Sequence, residues 1–549
     1  MSNYGRAELL WRQKNGRAEV CDTFKEQFSL HALDVITAEK FAKDESALFA
    51  LIAFLSAAFR QGHLFIQVTE NGILPEPELI LAAQEGKVGD FQKLEQAIKT
   101  AFFELTDHPE LVKEGSKLYF RNGWQKQAQA HFHYARLKKG APNAFASFSL
   151  DSIQLPERLE LEQASAIRHA LSSPLSCIFG GPGTGKTYTA GIFLQCFLRA
   201  YPKNELPFLR IALAGPTGKA TANLEKSIQH ALGKEYETFK KQIDVKTLHA
   251  LLGMRRFTSK REVPTFLPYQ LYIVDESSMV DVSLMAEFLA HVRTGAKVLF
   301  LGDPYQLPPV EPGEIFSDFV KKENVGGLTK CLRTDLAVIL QLASYVKEGN
   351  AEQTVELLVR GDSAATFHCI DNPQTLKKSF ENEKERFSKI FTKLLAQKID
   401  PKQLLVELNQ FRLLSPLQDG PWGVKTLNRY FHHPLEPVMI SQNDYQLNLM
   451  NGEIGVLEKE AGYAFFLGKK EEEVRKVPAI LLSTSERAYA LSVHKSQGSE
   501  FDHVVLFLPP GSEVFGRKML YTAITRARKK IEIWGSLETL KACITRDTR

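Results

Sequence analysis

The sequence predicts an α/β protein built around two parallel sheets, each in its own domain. Short apolar runs alternate with helical segments from about residue 151 onward. The first set of strand candidates is Ser176–Phe179, Leu209–Ala214, Leu271–Val274 and Lys297–Leu301. A second set follows near Phe411–Ser415, Ala488–Val493, His503–Phe507 and Lys530–Trp534. Strands separated by helices are joined by crossovers, which makes them parallel. Two such layers in one chain imply two similar domains with a cleft between them.

Each part of the chain can be taken in order. At 549 residues the chain exceeds one compact core and predicts roughly three to five folding units. Residues 1–150 read as a helical domain, with Leu48, Ile52, Leu55 and Phe59 recurring at helical spacing. The loop Lys138-Lys139-Gly140-Ala141-Pro142-Asn143 suits a boundary. The two α/β domains then span 151–335 and 336–549. Phe380, Phe387, Ile390, Phe391 and Leu394 mark an amphipathic helix whose Lys and Glu residues form a solvated face. Residues 437–487 hold short β-like pieces and a hairpin candidate at Gly468-Lys469-Lys470-Glu471, which predicts a small β insertion.

Composition excludes some classes. A net charge of +5 allows a nucleic-acid partner without arguing for one, because the charge that matters is local to a groove. The six cysteines show no CxxC spacing and no disulfide framework. The start of the chain carries no leader pattern, and Ala47–Phe59, the most apolar stretch, falls well short of the roughly 20 residues a membrane span needs. The chain reads as a reduced, cytoplasmic protein with no membrane partner.

Gly180-Gly181-Pro182-Gly183-Thr184-Gly185-Lys186-Thr187 fits GxxxxGK[ST], with a strand before it and a helical pattern, Tyr188 to Leu198, after it. Glycines let backbone N–H groups curl around phosphates, and the helix N-terminus adds a favourable dipole. Lys186 reaches the β- and γ-phosphates, and Thr187 ligates Mg²⁺. Leu271-Tyr272-Ile273-Val274-Asp275-Glu276 is an apolar strand ending in two acids. Asp275 suits the Mg²⁺ shell, and Glu276 suits activation of the attacking water. Together these motifs imply ATP hydrolysis with Mg²⁺. They leave open what the energy does.

Further motifs narrow the answer. Gln306, in Gly302-Asp303-Pro304-Tyr305-Gln306-Leu307-Pro308-Pro309, is placed to sense the γ-phosphate. Arg333 and Arg526 lie in or near the second α/β set, where an arginine from a facing domain would neutralise charge on that phosphate. Arg528 and Lys529 read as ordinary surface residues. The strand-to-turn segment Val493-His494-Lys495-Ser496-Gln497-Gly498-Ser499-Glu500 can reach both nucleotide and strand backbone. Pro216-Thr217 and Thr247-Leu248-His249 are polar turns that offer hydroxyls and N–H groups to phosphates, though equally they are simple turns and caps.

In this order the motifs resemble superfamily 1 DNA helicases of the 5′→3′ branch, and within them the RecD family. Leu414-Ser415-Pro416 followed by Gly420-Pro421-Trp422-Gly423-Val424, and Asn443-Asp444 with Leu447, Leu449, Asn451 and Gly452, resemble segments particular to RecD. The resemblance implies two RecA-like domains, a short strand-splitting hairpin at 254–268 and an SH3-like module at 437–487. It implies that Gln163 reads adenine, that Gln497, Gly498 and Glu500 join the nucleotide site, and that Arg333 and Arg526 are arginine fingers. It places Pro216, Thr217, Thr247, His249 and His494 on single-stranded DNA. It further implies RecB and RecC as partners in a RecBCD (exodeoxyribonuclease V) complex that repairs double-strand breaks, with the nuclease centre on another subunit. Related stand-alone helicases have a much longer N-terminal region, and its absence here favours a docked subunit. The competing readings are a stand-alone or conjugative helicase, and a DNA-binding subunit that uses ATP only as a switch.

Overall fold

The computed structural model describes residues 28–547 apart from 43–45, 84–88, 141–154, 158, 254–265, 324–326, 332–336, 371–384, 386–388, 390–399, 409, 432–433, 445, 469–472 and 483. Arg333, most of the 254–268 hairpin, the apolar residues of the 380–394 helix and the tip of the 468–471 hairpin fall outside the described residues.

Two five-stranded, all-parallel sheets form the core. The first runs Leu175–Phe179, Lys297–Gly302, Leu271–Val274, Ile211–Gly215 and Ile243–Thr247 in spatial order. Its inner strands are almost wholly apolar, Lys297 at the start of one of them apart, because both faces are covered. Alternate residues separate two cores. Ile211, Leu213, Leu271, Ile273, Leu299 and Leu301 pack with helices Leu161–Ser172, Lys186–Ala200 and Gly218–Leu232. Ala212, Tyr272, Val274, Val298 and Phe300 pack on the other side with helix Val282–His291. The second sheet runs Ala365–Cys369, Ala527–Gly535, Phe501–Leu508, Phe411–Ser415 and Ala490–Ser492. Each sheet thus has one edge strand beyond the four expected. Ile243–Thr247 and Ala365–Cys369 are polar enough at the edge to lack a continuous apolar run.

The β insertion is present as a five-stranded antiparallel sheet ordered Val474–Pro478, Tyr463–Leu467, Ile454–Glu458, Leu435–Ile440 and Ser485–Arg487. Tyr463–Leu467 and Val474–Pro478 pair antiparallel around the expected hairpin.

The N-terminal part is helical, as expected. The apolar stretch is the buried helix Ser46–Arg60, held to helix Ala32–Ala42 by the buried Asp34 carboxylate, which accepts from Ser56 Oγ and Arg60 Nη2 at 2.8 Å each. It also carries a four-stranded antiparallel sheet, Gly72–Leu74, Phe65–Thr69, Lys117–Phe120 and Leu111–Glu114, that the helical periodicity does not reveal. Phe65–Thr69 shows the alternating burial of a one-sided strand, too short to stand out beside long helices.

Helix Arg121–Lys139 joins this part to the first parallel sheet. Arg136 Nη2 donates to the carbonyls of Leu289 and Val292 at 2.8 Å each, capping the end of helix Val282–His291. Glu323, its side chain fully buried, accepts from Tyr134 Oη and Lys138 Nζ of the same helix and pairs with His169 Nε2 at 3.0 Å. Burial alone would push the Glu323 carboxyl up; the bonds from His169, Lys138 and Tyr134 outweigh it and hold it below its usual value. The charged form is therefore favoured by folding, and its contribution fades as pH falls through the folded pKa. Glu323→Ala leaves the Tyr134 hydroxyl without its acceptor and Lys138 with only the Leu175 carbonyl, and should cost about 2–4 kcal/mol, seen as a lower first unfolding midpoint in a thermal scan at pH 7. An unchanged midpoint would show that this junction carries no stability.

Candidate functional site

A parallel sheet sets all its strand carboxyl ends on one edge, and ligands bind there. In the first sheet these ends carry, in order, the glycine-rich loop, Asp303, Asp275, Thr217 and Thr247.

The loop follows strand Leu175–Phe179 and enters helix Lys186–Ala200 through Gly185. Gly183 and Gly185 have φ of 73° and 79°, which admit glycine readily and most residues poorly. Lys186 Nζ donates to the carbonyls of Gly180 and Gly181 at 2.7 and 3.0 Å, so its ammonium lies over the loop. Gln163 Nε2 donates to Thr184 O at 3.1 Å, and its Oε1 accepts from Glu160 N at 3.3 Å. The glutamine thus braces the loop from the start of helix Leu161–Ser172. That helix is held at its far end by the fully buried Lys297, whose Nζ donates to Ala170 O at 2.8 Å and Leu171 O at 3.0 Å. Leu328, on the approach to Arg333, runs beside the loop with its N–H on Phe179 O at 2.8 Å.

Asp275 is buried one strand over from Asp303. Thr187 Oγ1 donates to Asp275 Oδ2 at 3.4 Å, which sets two hard oxygens side by side, the ligand type that Mg²⁺ takes. Burial first, and then the adjacent Glu276 carboxylate, push the Asp275 pKa well above its usual value. A carboxylate so disfavoured fits a position meant for a cation. Glu276 adopts φ 51° and ψ 41°, a left-handed conformation costly for a side chain with Cβ and found disproportionately at functional sites.

The third acid is Asp303, to which the sequence reading gives no role. It is fully buried, and its Oδ2 accepts from Tyr521 Oη at 2.9 Å and Gln306 Nε2 at 3.4 Å. Tyr521 belongs to helix Gly516–Ile524 of the second α/β domain. A Cβ placed on Gly181 would lie 3.1 Å from the same hydroxyl, so Tyr521 stands against the loop as well. The Gln306 Oε1 is buried and without a hydrogen-bond partner among the described residues. Such a buried orphan acceptor is suited to hold a water. Asp303 follows an apolar strand as Asp275 does, and that shared pattern was the signal that could have found it.

More bonds cross the cleft. Leu307 N donates to Thr522 Oγ1 at 2.8 Å and Leu307 O accepts from Gln497 Nε2 at 3.0 Å. Gln497, expected on the nucleotide, thus bonds the opposite domain's backbone through its amide nitrogen. Gly498 has φ 68° and supplies the turn beside it. Glu500 accepts from Arg528 Nε at 2.9 Å and lines a narrow cleft with Pro182 on one side and Ile339, Leu340 and Thr525 on the other. Arg526 is buried, and its bonds lie within its own domain, to Thr522 O, Ser499 O and Thr525 Oγ1.

Of the residues expected on DNA, Pro216, Thr217, Thr247 and His249 fall at the far end of the edge. Thr217 and Thr247 each cap a helix, accepting from Ala220 N and Ala250 N at 3.2 Å, and they follow neighbouring strands that pair Gly215 with Thr247. Pro216 is half-buried and His249 exposed beside them. His494 sits in the turn after strand Ala490–Ser492, its pKa lowered by burial.

Residues 158–369 match the AAA domain family and residues 487–533 the UvrD-like helicase C-terminal domain. The RecBCD enzyme subunit RecD of Haemophilus influenzae is 28% identical over 512 residues, covering 78% of each chain. That of Mycolicibacterium smegmatis is 32% identical over 411 residues, covering 70% of this chain and 72% of its own. The chain belongs to the RecD family. The ATP-dependent RecD2 DNA helicase of Deinococcus radiodurans is 28% identical over 399 residues, covering 69% of this RecD-family chain but 49% of its own length.

Tyr521→Phe deletes only the hydroxyl that joins Asp303 to the second domain. A charged hydrogen bond is worth about 1.5–3 kcal/mol, so ATP turnover should fall roughly tenfold or more with the chain still folded. Steady-state ATPase with circular dichroism checks this; wild-type turnover would remove Tyr521 from the site.

Proposed function

We propose that this RecD-family chain is an ATP-dependent DNA helicase that moves 5′→3′ along one strand, as the motor subunit of a RecBCD-type helicase–nuclease with RecB and RecC as partners. The observation that carries the motor reading is the buried Asp303, shared between Gln306 beside the phosphate loop and Tyr521 of the facing domain. Chemistry at the loop is thereby coupled to the fit of two domains. The partner assignment is supported by relatives named as RecBCD subunits that match most of their own length.

In this reading the loop 180–187 receives the triphosphate, and Gln163 braces the loop from the adenine side. Thr187 and Asp275 hold Mg²⁺, which when bound offsets phosphate charge. Glu276 takes the proton of the attacking water, and the Gln306 carbonyl oxygen orients it. Arg526 and Arg333 supply positive charge from the second domain as the cleft closes. Pro216, Thr217, Thr247, His249 and His494 contact the strand through its phosphates and bases, which makes binding sequence-tolerant and salt-sensitive. The SH3-like character of the β insertion and the docking role of the N-terminal part belong to the same proposal, as does a cytoplasmic location. Among the described residues no helix is long and apolar enough to cross a membrane.

The test is single-stranded-DNA-stimulated ATPase together with unwinding of tailed duplexes. Wild type should hydrolyse ATP faster with DNA and unwind only the 5′-tailed substrate. Lys186→Gln should remove hydrolysis and unwinding while leaving the fold. Unwinding confined to 3′-tailed duplexes would overturn the polarity, and near-wild-type hydrolysis by Lys186→Gln would overturn the site.

A further inference from the structure

Lys219 belongs to the Gly-Pro-Thr-Gly-Lys-Ala turn, yet its side chain reaches into the other α/β domain. Its Nζ donates to Ser499 Oγ at 2.7 Å across the cleft. Ser499 is buried, and its carbonyl accepts from Arg526 Nη1 at 3.2 Å. The remaining Arg526 bonds, to Thr522 O and Thr525 Oγ1, keep that guanidinium folded into its own domain. At its other end Lys219 lies in the first turn of helix Gly218–Leu232, directly beyond Thr217, which caps that helix. One side chain thus connects the turn expected on DNA to the residue that holds Arg526.

The placement of the Lys219 amine is costly. Burial first, and then the guanidinium groups of Arg412, Arg526 and Arg528, push its pKa down to about 8, with Glu500 opposing. Among the described residues its hydrogen bond is to a neutral hydroxyl, and such a cation moves readily to an anionic oxygen, because charge-assisted hydrogen bonds are roughly twice as strong as neutral ones.

We propose that Lys219 and Ser499 form a latch that holds Arg526 away from the phosphate loop until single-stranded DNA reaches the Pro216–Thr217 turn and draws the Lys219 ammonium to a backbone phosphate. This rests on the helicase reading above. Freed from Lys219, the segment at Ser499 shifts, its carbonyl releases Arg526, and the guanidinium turns toward the nucleotide. Lys219 is a positioning residue, since it acts through Ser499 and Arg526. The latch gives DNA a physical route to ATP turnover that passes through the protein.

Steady-state ATPase of the full chain, with and without an oligothymidylate, tests this for wild type, Lys219→Met, Ser499→Ala and the double variant. Each single change should raise DNA-free turnover about five- to tenfold, the scale of one hydrogen bond, and so compress the stimulation by DNA. The double variant should match either single, because both remove the same contact. Ser499→Ala exchanges a buried hydroxyl for a methyl-sized group and keeps the test valid should Lys219→Met fail to fold. Unchanged DNA-free turnover in Ser499→Ala overturns the latch. So does an effect confined to Lys219→Met and to its DNA affinity, which would make Lys219 a phosphate contact only. Wild type that DNA fails to stimulate overturns the helicase reading itself; stimulated wild type with silent variants overturns the latch alone.

Discussion

Everything functional in the first α/β domain depends on one constraint: its five strands are all parallel, so their carboxyl ends share one edge. Strand order then assigns chemistry to position. The loop, Asp303 and Asp275 follow three adjacent strands and converge on one site. Thr217 and Thr247 follow the next two, at the far end of the same edge. Asp275 sits at the central strand, between the two halves. An antiparallel neighbour would have sent one of these groups to the opposite edge, some five residues and roughly 17 Å away.

The cleft is closed by groups that cannot be left unpaired. Leu307 has both its N–H and its C=O satisfied by the second domain, through Thr522 and Gln497. Asp303 is a buried carboxylate that draws one of its donors, the Tyr521 hydroxyl, from across the interface. Burial pushes the Tyr521 hydroxyl well above its usual pKa, aided by the Asp303 charge, so the tyrosine stays a donor at any physiological pH. Separating the domains exposes these groups to water, which replaces the bonds at small net cost. Bringing the domains together in the wrong register strands them, at about 1–3 kcal/mol each. The polar contacts therefore favour one closed geometry more than they favour closure itself.

Much of this was legible in the sequence, for local reasons. The loop and the Asp275-Glu276 pair are contiguous motifs, and the inner strands are apolar runs because both faces are buried. What escaped has nonlocal or weak signals. The edge strands Ile243–Thr247 and Ala365–Cys369 carry polar residues on faces left partly open. The N-terminal sheet is made of strands of three to five residues. The bond from the Gln497 amide to Leu307 O is likewise hidden, because no periodicity reports a contact between residues 190 apart in the chain. Tyr521 and Ser499 were visible as motif letters, but their partners, Asp303 and Lys219, are set by how two domains meet.

The N-terminal part touches both α/β domains, with very different strength. To the first it is joined by the Arg136 cap, by the buried Glu323 cluster and by Gly313 N on Gly62 O, in the segment that follows Gln306. To the second it is joined by Arg546 Nη2 on Glu76 Oε2 at 2.7 Å, where Glu76 is largely exposed. An exposed ion pair contributes about 0–1 kcal/mol, whereas breaking a buried charged cluster costs several. Were the two α/β domains to separate, the exposed pair would be the weaker of the two junctions. The N-terminal part is therefore joined far more strongly to the first domain than to the second.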